Sequence, residues 1–450
     1  MAQFPSGFVW GAATASYQIE GAVQEGGRGA SIWDTFAHTP GRVKGGDTGD
    51  VACDHYHRFR EDVALMRDLG LNAYRFSIAW PRLQPDGRGR VNEPGLAFYD
   101  RLVDELLAAD IQPWATLFHW DLPQALEDAG GWLSRDTAHR FEEYAFLVGE
   151  RLGDRVTGFM TLNETYIHFL LGYALGLHAP GRTLGLHAFP AAHHQLLGHG
   201  LAVRALREAG VRSVGIANNF APVWPAGERD ADLDAANRVD ALHNHLFTDP
   251  LLRGEYPALA LDIIQSTDPA LLDVILPGDL AVMAAPLDFL GVNYYQPDYV
   301  KDNPASPTFG IELGTIPDRE YTAFGWPVVP EGLTQTLTGL KARYGETCPP
   351  LYVTESGCSV NDMPDRDGRV RDDFRIRYHE AYIDAVHSAI TQGAEVRGYF
   401  AWSLLDNFEW AEGYSQRFGL VHVDFETQVR TPKDSYRWFQ DFLRDHTDSD

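Results

Sequence analysis

Cysteine is nearly absent: Cys53, Cys348 and Cys358 are the only three in 450 residues. An odd number cannot all pair within one chain, and no CxxC or Cys/His zinc spacing occurs, so neither a disulfide scaffold nor a metal site is expected. Such usage suits a reducing compartment, and the cytoplasm is the expected location. Basic residues are in deficit too, with 37 Lys and Arg against 63 Asp and Glu for a net charge of −26. Because the acids are spread along the whole chain, polyanions would be repelled, and neither nucleic acid nor an anionic membrane is expected as a partner. No uncharged apolar run approaches the ~20 residues that span a bilayer. The opening "MAQFPSGFVWGAATASYQIEG" lacks the basic start and apolar core of a secretory signal. Linkers, repeats and low-complexity tracts are missing as well, so residues 1–450 are expected to form one domain.

What the chain does contain is a recurring apolar run. Eight β-rich segments alternate with helix-like ones: 8–13, 73–80, 112–118, 156–164, 213–219, 287–295, 351–357 and 396–406. Alternation of this kind predicts parallel strands joined by helical crossovers. The segment "FREDVALMRDLG" is amphipathic and ends in the glycine expected at a helix C-terminus. Eight such units predict an α/β fold, a single (β/α)8 TIM barrel with long βα loops over its C-terminal face. The longest helix-free stretch, 296–333, follows the sixth run, and its prolines predict a fixed lid.

In a barrel of this kind the chemistry sits where strands end. Arg75 lies within the second run, and His119, Trp120 and Asp121 follow the third. Asn163 and Glu164 close the fourth, Asn219 the fifth, Asn293 and Tyr295 the sixth, and Glu355 the seventh. Trp402 and "NFEW" (407–410) follow the eighth. Glu164 and Glu355 are 191 residues apart, yet the tips of strands four and seven aim at one central pocket. Two carboxyl groups over a pocket lined by Trp and Tyr fit glycoside hydrolysis: one protonates the leaving oxygen, the other attacks or activates water, and flat rings accept sugar faces. Either glutamate alone would more often be a structural ion-pair partner; the company of Asn, Tyr, His and Trp at neighbouring strand ends favours the site. Trp10, Trp33, Trp80 and Trp114 read as core packing.

Three other signals are weaker. His193, His194 and His199 lack the HExxH pattern, so no metal is expected there. "GGRGAS" (26–31) has neither phosphate-loop form, and no cofactor is expected. Cys358, three residues past Glu355, has no paired base and reads as a small packed side chain.

The chain resembles glycoside hydrolase family 1, the β-glucosidase family, along its whole length. The segments that carry the resemblance are "FVWGAATASYQIEGA", "YRFSIAWPR", "TLFHWDLPQAL", "TLNE", "GVNYY", "VTESG", "WSLLDNFEWAEGYSQRFGLVHVDF" and "TPKDSYRWF", in the family's order. The resemblance implies a retaining exo-β-glycosidase that releases terminal β-D-glucosyl residues from small β-glycosides such as cellobiose. It makes Glu164 the general acid/base and Glu355 the nucleophile, with Arg75 and Tyr295 flanking Glu355 and Asn163 on the sugar's 2-hydroxyl. Gln18, His119, Trp120, Asn293, Glu409 and Trp410 would bind the glycosyl unit over Trp402. Trp326, Tyr166, His178 and Asn219 would meet the aglycone. A transglycosylase would use the same residues, whereas a catalytically silent sugar-binding barrel would have lost a carboxylate.

Two acids roughly 5 Å apart, as retention requires, cannot both ionise easily, so the acid's pKa should rise while Arg75 keeps the charge on Glu355. Two positions depart from the family pattern: Thr165 replaces the usual proline after the acid/base, and Ser356 the usual asparagine after the nucleophile. The Thr165 hydroxyl is expected to find a hydrogen-bond partner nearby. Glu409 and Glu412, where phosphoglycosidases carry small or basic residues, point to unphosphorylated sugars. Glu164 itself argues against the thioglucosidase branch, which has glutamine there.

Overall fold

The computed structural model describes residues 4–306 and 310–447. All eight runs become strands: β1 Val9–Ala13, β2 Ala73–Ser77, β3 Gln112–Phe118, β4 Gly158–Asn163, β5 Val214–Asn219, β6 Phe289–Asn293, β7 Leu351–Ser356 and β8 Val396–Trp402. They pair in parallel in chain order, and β8 closes on β1, so the sheet is a barrel without edges. Both faces of each strand are covered, which is why the runs are mostly apolar rather than alternating.

Aromatic side chains fill the lower interior. Trp114 of β3 lies 4.9 Å from Tyr352, 5.3 Å from Phe289 and 5.8 Å from Phe400, ring centre to ring centre. Neighbouring strands make room for these rings with glycine: a Cβ on Gly158 would come within 2.6 Å of Trp114, and one on Gly11 within 2.3 Å of Phe400. Trp10, Trp33, Trp80 and Trp114 are all buried, as core packing requires. With its base plugged, the barrel offers open space at the C-terminal ends of its strands.

Crossover helices sheathe the barrel, among them His55–Leu69, Glu93–Ala108, Arg135–Leu152, Phe189–Glu208 and Asp373–Thr391. The first of these ends as expected, at Gly70 with φ +87°, whose N–H reaches the carbonyls of Met66 and Arg67. That left-handed turn carries no steric cost for glycine. His193, His194 and His199 are buried in Phe189–Glu208: Asp279 and Tyr256 meet His193, the Trp132 carbonyl meets His194, and Thr161 meets His199 Nδ1, whose Nε2 has no partner. Among the described residues no three His, Cys, Asp or Glu side chains gather as a metal would need. None of the described helices is long and apolar enough to cross a membrane.

Among its described residues the stretch after β6 has no helix before Pro330, but it does contain strands, which the sequence reading missed. Asp298–Asp302 and Ile311–Leu313 join Val223–Pro225 in a three-stranded sheet beside the barrel mouth. Residues 307–309, within the expected lid, lie outside the described residues. Farther along, Phe324 stacks on Trp326 at 4.3 Å, and Trp326 leans on Tyr295 at 5.0 Å.

Candidate active site

A cavity of about 660 Å3 opens at the strand tips, and both glutamates line it. Glu355 stands on β7 directly beside β6, its backbone in register with Asn293. The turn after it is forced by crowding: a Cβ on Gly357 would sit 1.7 Å from the Trp402 carbonyl oxygen, so only glycine fits. Glu164 follows β4 with φ +48°, a left-handed conformation unusual for a side-chain-bearing residue. Trp120 at φ +74° and Trp410 at φ +47° share it. Such strain costs on the order of 1–3 kcal/mol per residue and concentrates where side-chain aim matters more than backbone comfort.

The two carboxyl groups are held differently. Glu355 receives Arg75 Nη1 at 2.6 Å on Oε1 and the Tyr295 hydroxyl at 2.8 Å on Oε2. Arg75 is itself buried and fixed on its other edges by Asn163 Oδ1 at 2.6 Å, the Thr354 carbonyl at 3.1 Å and Thr116 Oγ1 at 3.2 Å. Glu164 has only amide donors, Asn293 Nδ2 at 2.8 Å and Asn219 Nδ2 at 3.5 Å. Burial and then repulsion by Glu355 raise the Glu164 carboxyl to about 8. Burial also pushes Glu355 up, but Arg75 and Tyr295 oppose that push, and a cation in direct contact decides which acid of the pair ionises first. The contacts thus favour the charge on Glu355 and the proton on Glu164.

Of the residues singled out from sequence, His119, Trp120, Glu164, Tyr166, His178, Asn219, Tyr295, Trp326, Glu355, Trp402, Glu409 and Trp410 face the cavity. Arg75, Asn163 and Asn293 are buried behind its wall, tied to one another and to the carboxyl groups, and Gln18 is buried beside the cavity-lining Glu409. Asn293, expected on the substrate, instead donates to both Asn163 and Glu164 and accepts from Thr354 Oγ1 at 2.6 Å. Asn163 is similarly engaged, its Nδ2 donating to His119 Nε2 at 2.9 Å. That bond leaves the His119 proton on Nδ1, which is buried without a partner; the ring is held neutral by burial and by Arg75. Gln18 donates to the Phe408 carbonyl at 2.9 Å and to Asn407 at 3.1 Å, and its Oε1 is likewise unpartnered. Glu409 is pushed up to about 8 by burial and then by the charge on Glu355.

Neither departure from the family pattern disturbs the carboxyl groups directly. Thr165 Oγ1 is buried and finds no hydrogen-bond partner, contrary to expectation, because the side chain sits at the first position of the short helix Thr165–Ile167, fully buried. The buried Ser356 hydroxyl lies by the phenols of Tyr378 and Tyr399, on the helix side of β7. Cys358 is fully buried with its thiol raised to about 12, an inert packed group.

Sequence reasoning overlooked His243. Its Nε2 meets Asn219 Oδ1 at 2.8 Å, its Nδ1 meets Asp298 at 2.8 Å, and Tyr166 stacks on its face at 3.9 Å. It thus orients the amide that reaches Glu164. His243 belongs to a helical turn, Ala241–His245, far from any strand end, and no spacing in the sequence marks it.

The chain is similar to known proteins along its whole length. The model of glycosyl hydrolase family 1 matches residues 1–448. Beta-glucosidase A of Thermotoga maritima is 45% identical over 448 residues, covering 99% of this chain and 98% of its own. Thermostable beta-glucosidase B of Thermobispora bispora is 51% identical, covering 98% of this chain and 90% of its own. Among solved structures, the family 1 β-glucosidase from Thermotoga maritima superposes with a TM-score of 0.94 at 44% identity, over 99% of this chain and 98% of that one. With a family model and full-length relatives agreeing on the same barrel, the chain belongs to glycosyl hydrolase family 1.

Proposed function

We propose that Glu164 and Glu355 carry out a retaining double displacement on terminal, non-reducing β-D-glucosyl groups, as β-glucosidases do. The observation behind this reading is their unequal support: a guanidinium and a phenol on Glu355, amides alone on Glu164. Glu355, ionised, attacks the anomeric carbon while Glu164, protonated at neutral pH, gives its proton to the departing glycosidic oxygen. Ester formation removes the charge on Glu355, the repulsion that raised Glu164 disappears, and its pKa falls. Glu164 then takes a proton from water as that water attacks the anomeric carbon, and Glu355 leaves as carboxylate.

The glycosyl unit has partners waiting. The unpaired His119 Nδ1–H and Gln18 Oε1 are buried polar atoms that cost about 1–3 kcal/mol each until a sugar hydroxyl meets them. Glu409 adds a third polar group, and Trp402 supplies an apolar face beside His119. Glu409 and Glu412, both lining the cavity in the loop after β8, disfavour a phosphate on the sugar. Small soluble β-glucosides, cellobiose among them, are the substrates in this reading. The three unpaired cysteines suit the reducing cytoplasm as its location.

The test follows the product anomer by proton NMR during cleavage of 4-nitrophenyl β-D-glucoside. First appearance of β-glucose, later mutarotating to α, supports the double displacement. First appearance of α-glucose means that Glu355 activates water instead and sinks the proposed roles.

A further inference from the structure

Besides the carboxyl groups and their polar and aromatic neighbours, the cavity of about 660 Å3 is lined by leucine and isoleucine from several loops. Immediately after Glu164 and Thr165–Ile167, the wall is formed by His168–Ala174, which turns Leu170 and Leu171 toward the cavity. Leu186, Leu242 and Ile263 continue it from three further segments, and Leu177, 57% exposed, stands in solvent at the mouth. Exposed leucine at the lip of an otherwise leucine-lined channel is apolar surface with no partner inside the protein.

Most polar side chains of the same outer wall are already engaged, with the buried Nδ1 of His178 an exception. Asp298 and Asn219 hold the two nitrogens of His243, Arg238 reaches Asp302 at 3.3 Å, and Glu412 pairs with Lys44 at 3.1 Å. Arg42 donates to the Gly176 carbonyl and lies over the Phe36 ring. A second glucosyl residue presents hydroxyls all around its ring and would bury them against leucine, whereas an alkyl chain would lose nothing by desolvation.

We infer that the aglycone site of this enzyme selects an unbranched alkyl or alkyl-aryl group over a second sugar, with Leu170, Leu177 and Leu242 as specificity-determining residues. The inference rests on the β-glucosidase reading of Glu164 and Glu355. The leaving alcohols of ethyl, butyl, hexyl and octyl β-D-glucoside have nearly equal basicity, so the chemical step is the same along the series and only aglycone burial differs. Each methylene that enters the cavity contributes about three- to fourfold in kcat/KM.

The experiment measures kcat/KM for those four glucosides below their micelle concentrations, for cellobiose and for 4-nitrophenyl β-D-glucoside. Expected are a rise of about threefold or more per methylene from ethyl to hexyl and octyl glucoside ahead of cellobiose by about tenfold or more. In Leu177→Ser and Leu170→Ser the octyl-to-ethyl ratio should fall severalfold, a ratio that partial misfolding would leave unmoved. A flat alkyl series with cellobiose ahead, while nitrophenyl glucoside is cleaved, overturns the inference and leaves the catalytic reading standing. Cleavage of none of these glycosides removes both.

Discussion

Tyr295→Phe isolates the device that keeps Glu355 ionised. The substitution deletes one hydroxyl, 2.8 Å from Glu355 Oε2, while the ring keeps its contacts with Trp326 at 5.0 Å and Phe418 at 6.4 Å. A hydrogen bond to a charged acceptor contributes about 1.5–3 kcal/mol. Because that bond favours the ionised form, its loss raises the Glu355 pKa by roughly 1–2 units. The free enzyme needs Glu355 ionised and Glu164 protonated, so the acid limb of kcat/KM follows the first and the basic limb the second. The acid limb should therefore move up by roughly 1–2 units, while the basic limb stays near 8, where burial and Glu355 hold Glu164. Phenyl β-D-glucoside is the substrate of choice, since its poor leaving group needs the Glu164 proton. An unmoved acid limb would show that Tyr295 does not hold the charge. Movement of the basic limb instead would mean that the two acids have exchanged roles.

Three further outcomes follow from the same geometry. Folded Glu164 keeps a proton until about pH 8, whereas the unfolded side chain releases it near 4.5, so the native state binds more protons and stability declines as pH rises between those values. Glu164→Gln should therefore melt higher than wild type at pH 7.5, by an amount worth on the order of a few kcal/mol, with the difference vanishing at pH 4.5; an equal gap at both pH values contradicts it. Gly357→Ala must displace the Trp402 carbonyl from 1.7 Å, and the resulting shift of Glu355 should lower kcat roughly 10²-fold, as steady-state kinetics on the folded variant will read. Lys433 is fully buried against Asp406 at 2.9 Å, under the loop that carries Glu409 and Trp410. Lys433→Met should cost about 3–5 kcal/mol in urea unfolding, and a loss below about 1 kcal/mol would mean that Arg417 satisfies Asp406 alone.

All eight strands were legible because each is buried on both faces and therefore spells a largely apolar run that ends where most of the polar chemistry begins. Glu164 and Glu355 could be paired across 191 residues for the same reason: a closed parallel barrel gathers the ends of all its strands. What stayed hidden depends on contacts between loops. Val223–Pro225 is three residues long and becomes a strand only because Asp298–Asp302 pairs with it. Asn293 reads like a substrate ligand by its position at a strand end, yet it turns sideways to Glu164 and Asn163. The left-handed backbones of Trp120 and Trp410 and the unpartnered Thr165 hydroxyl leave no trace in residue type, since neither tryptophan nor threonine signals those environments. The leucine wall of the aglycone side is equally silent, because its members come from separate loops with no shared period.

The most direct test of the central claim, that Glu355 forms a covalent bond to the sugar, uses Glu355→Ala with 2,4-dinitrophenyl β-D-glucoside and added azide. The small anion fits the space left by the carboxylate and attacks from the same face, so the account predicts restored turnover with α-glucosyl azide as product. Formation of β-glucosyl azide in this variant, or hydrolysis at the wild-type rate without azide, would contradict it.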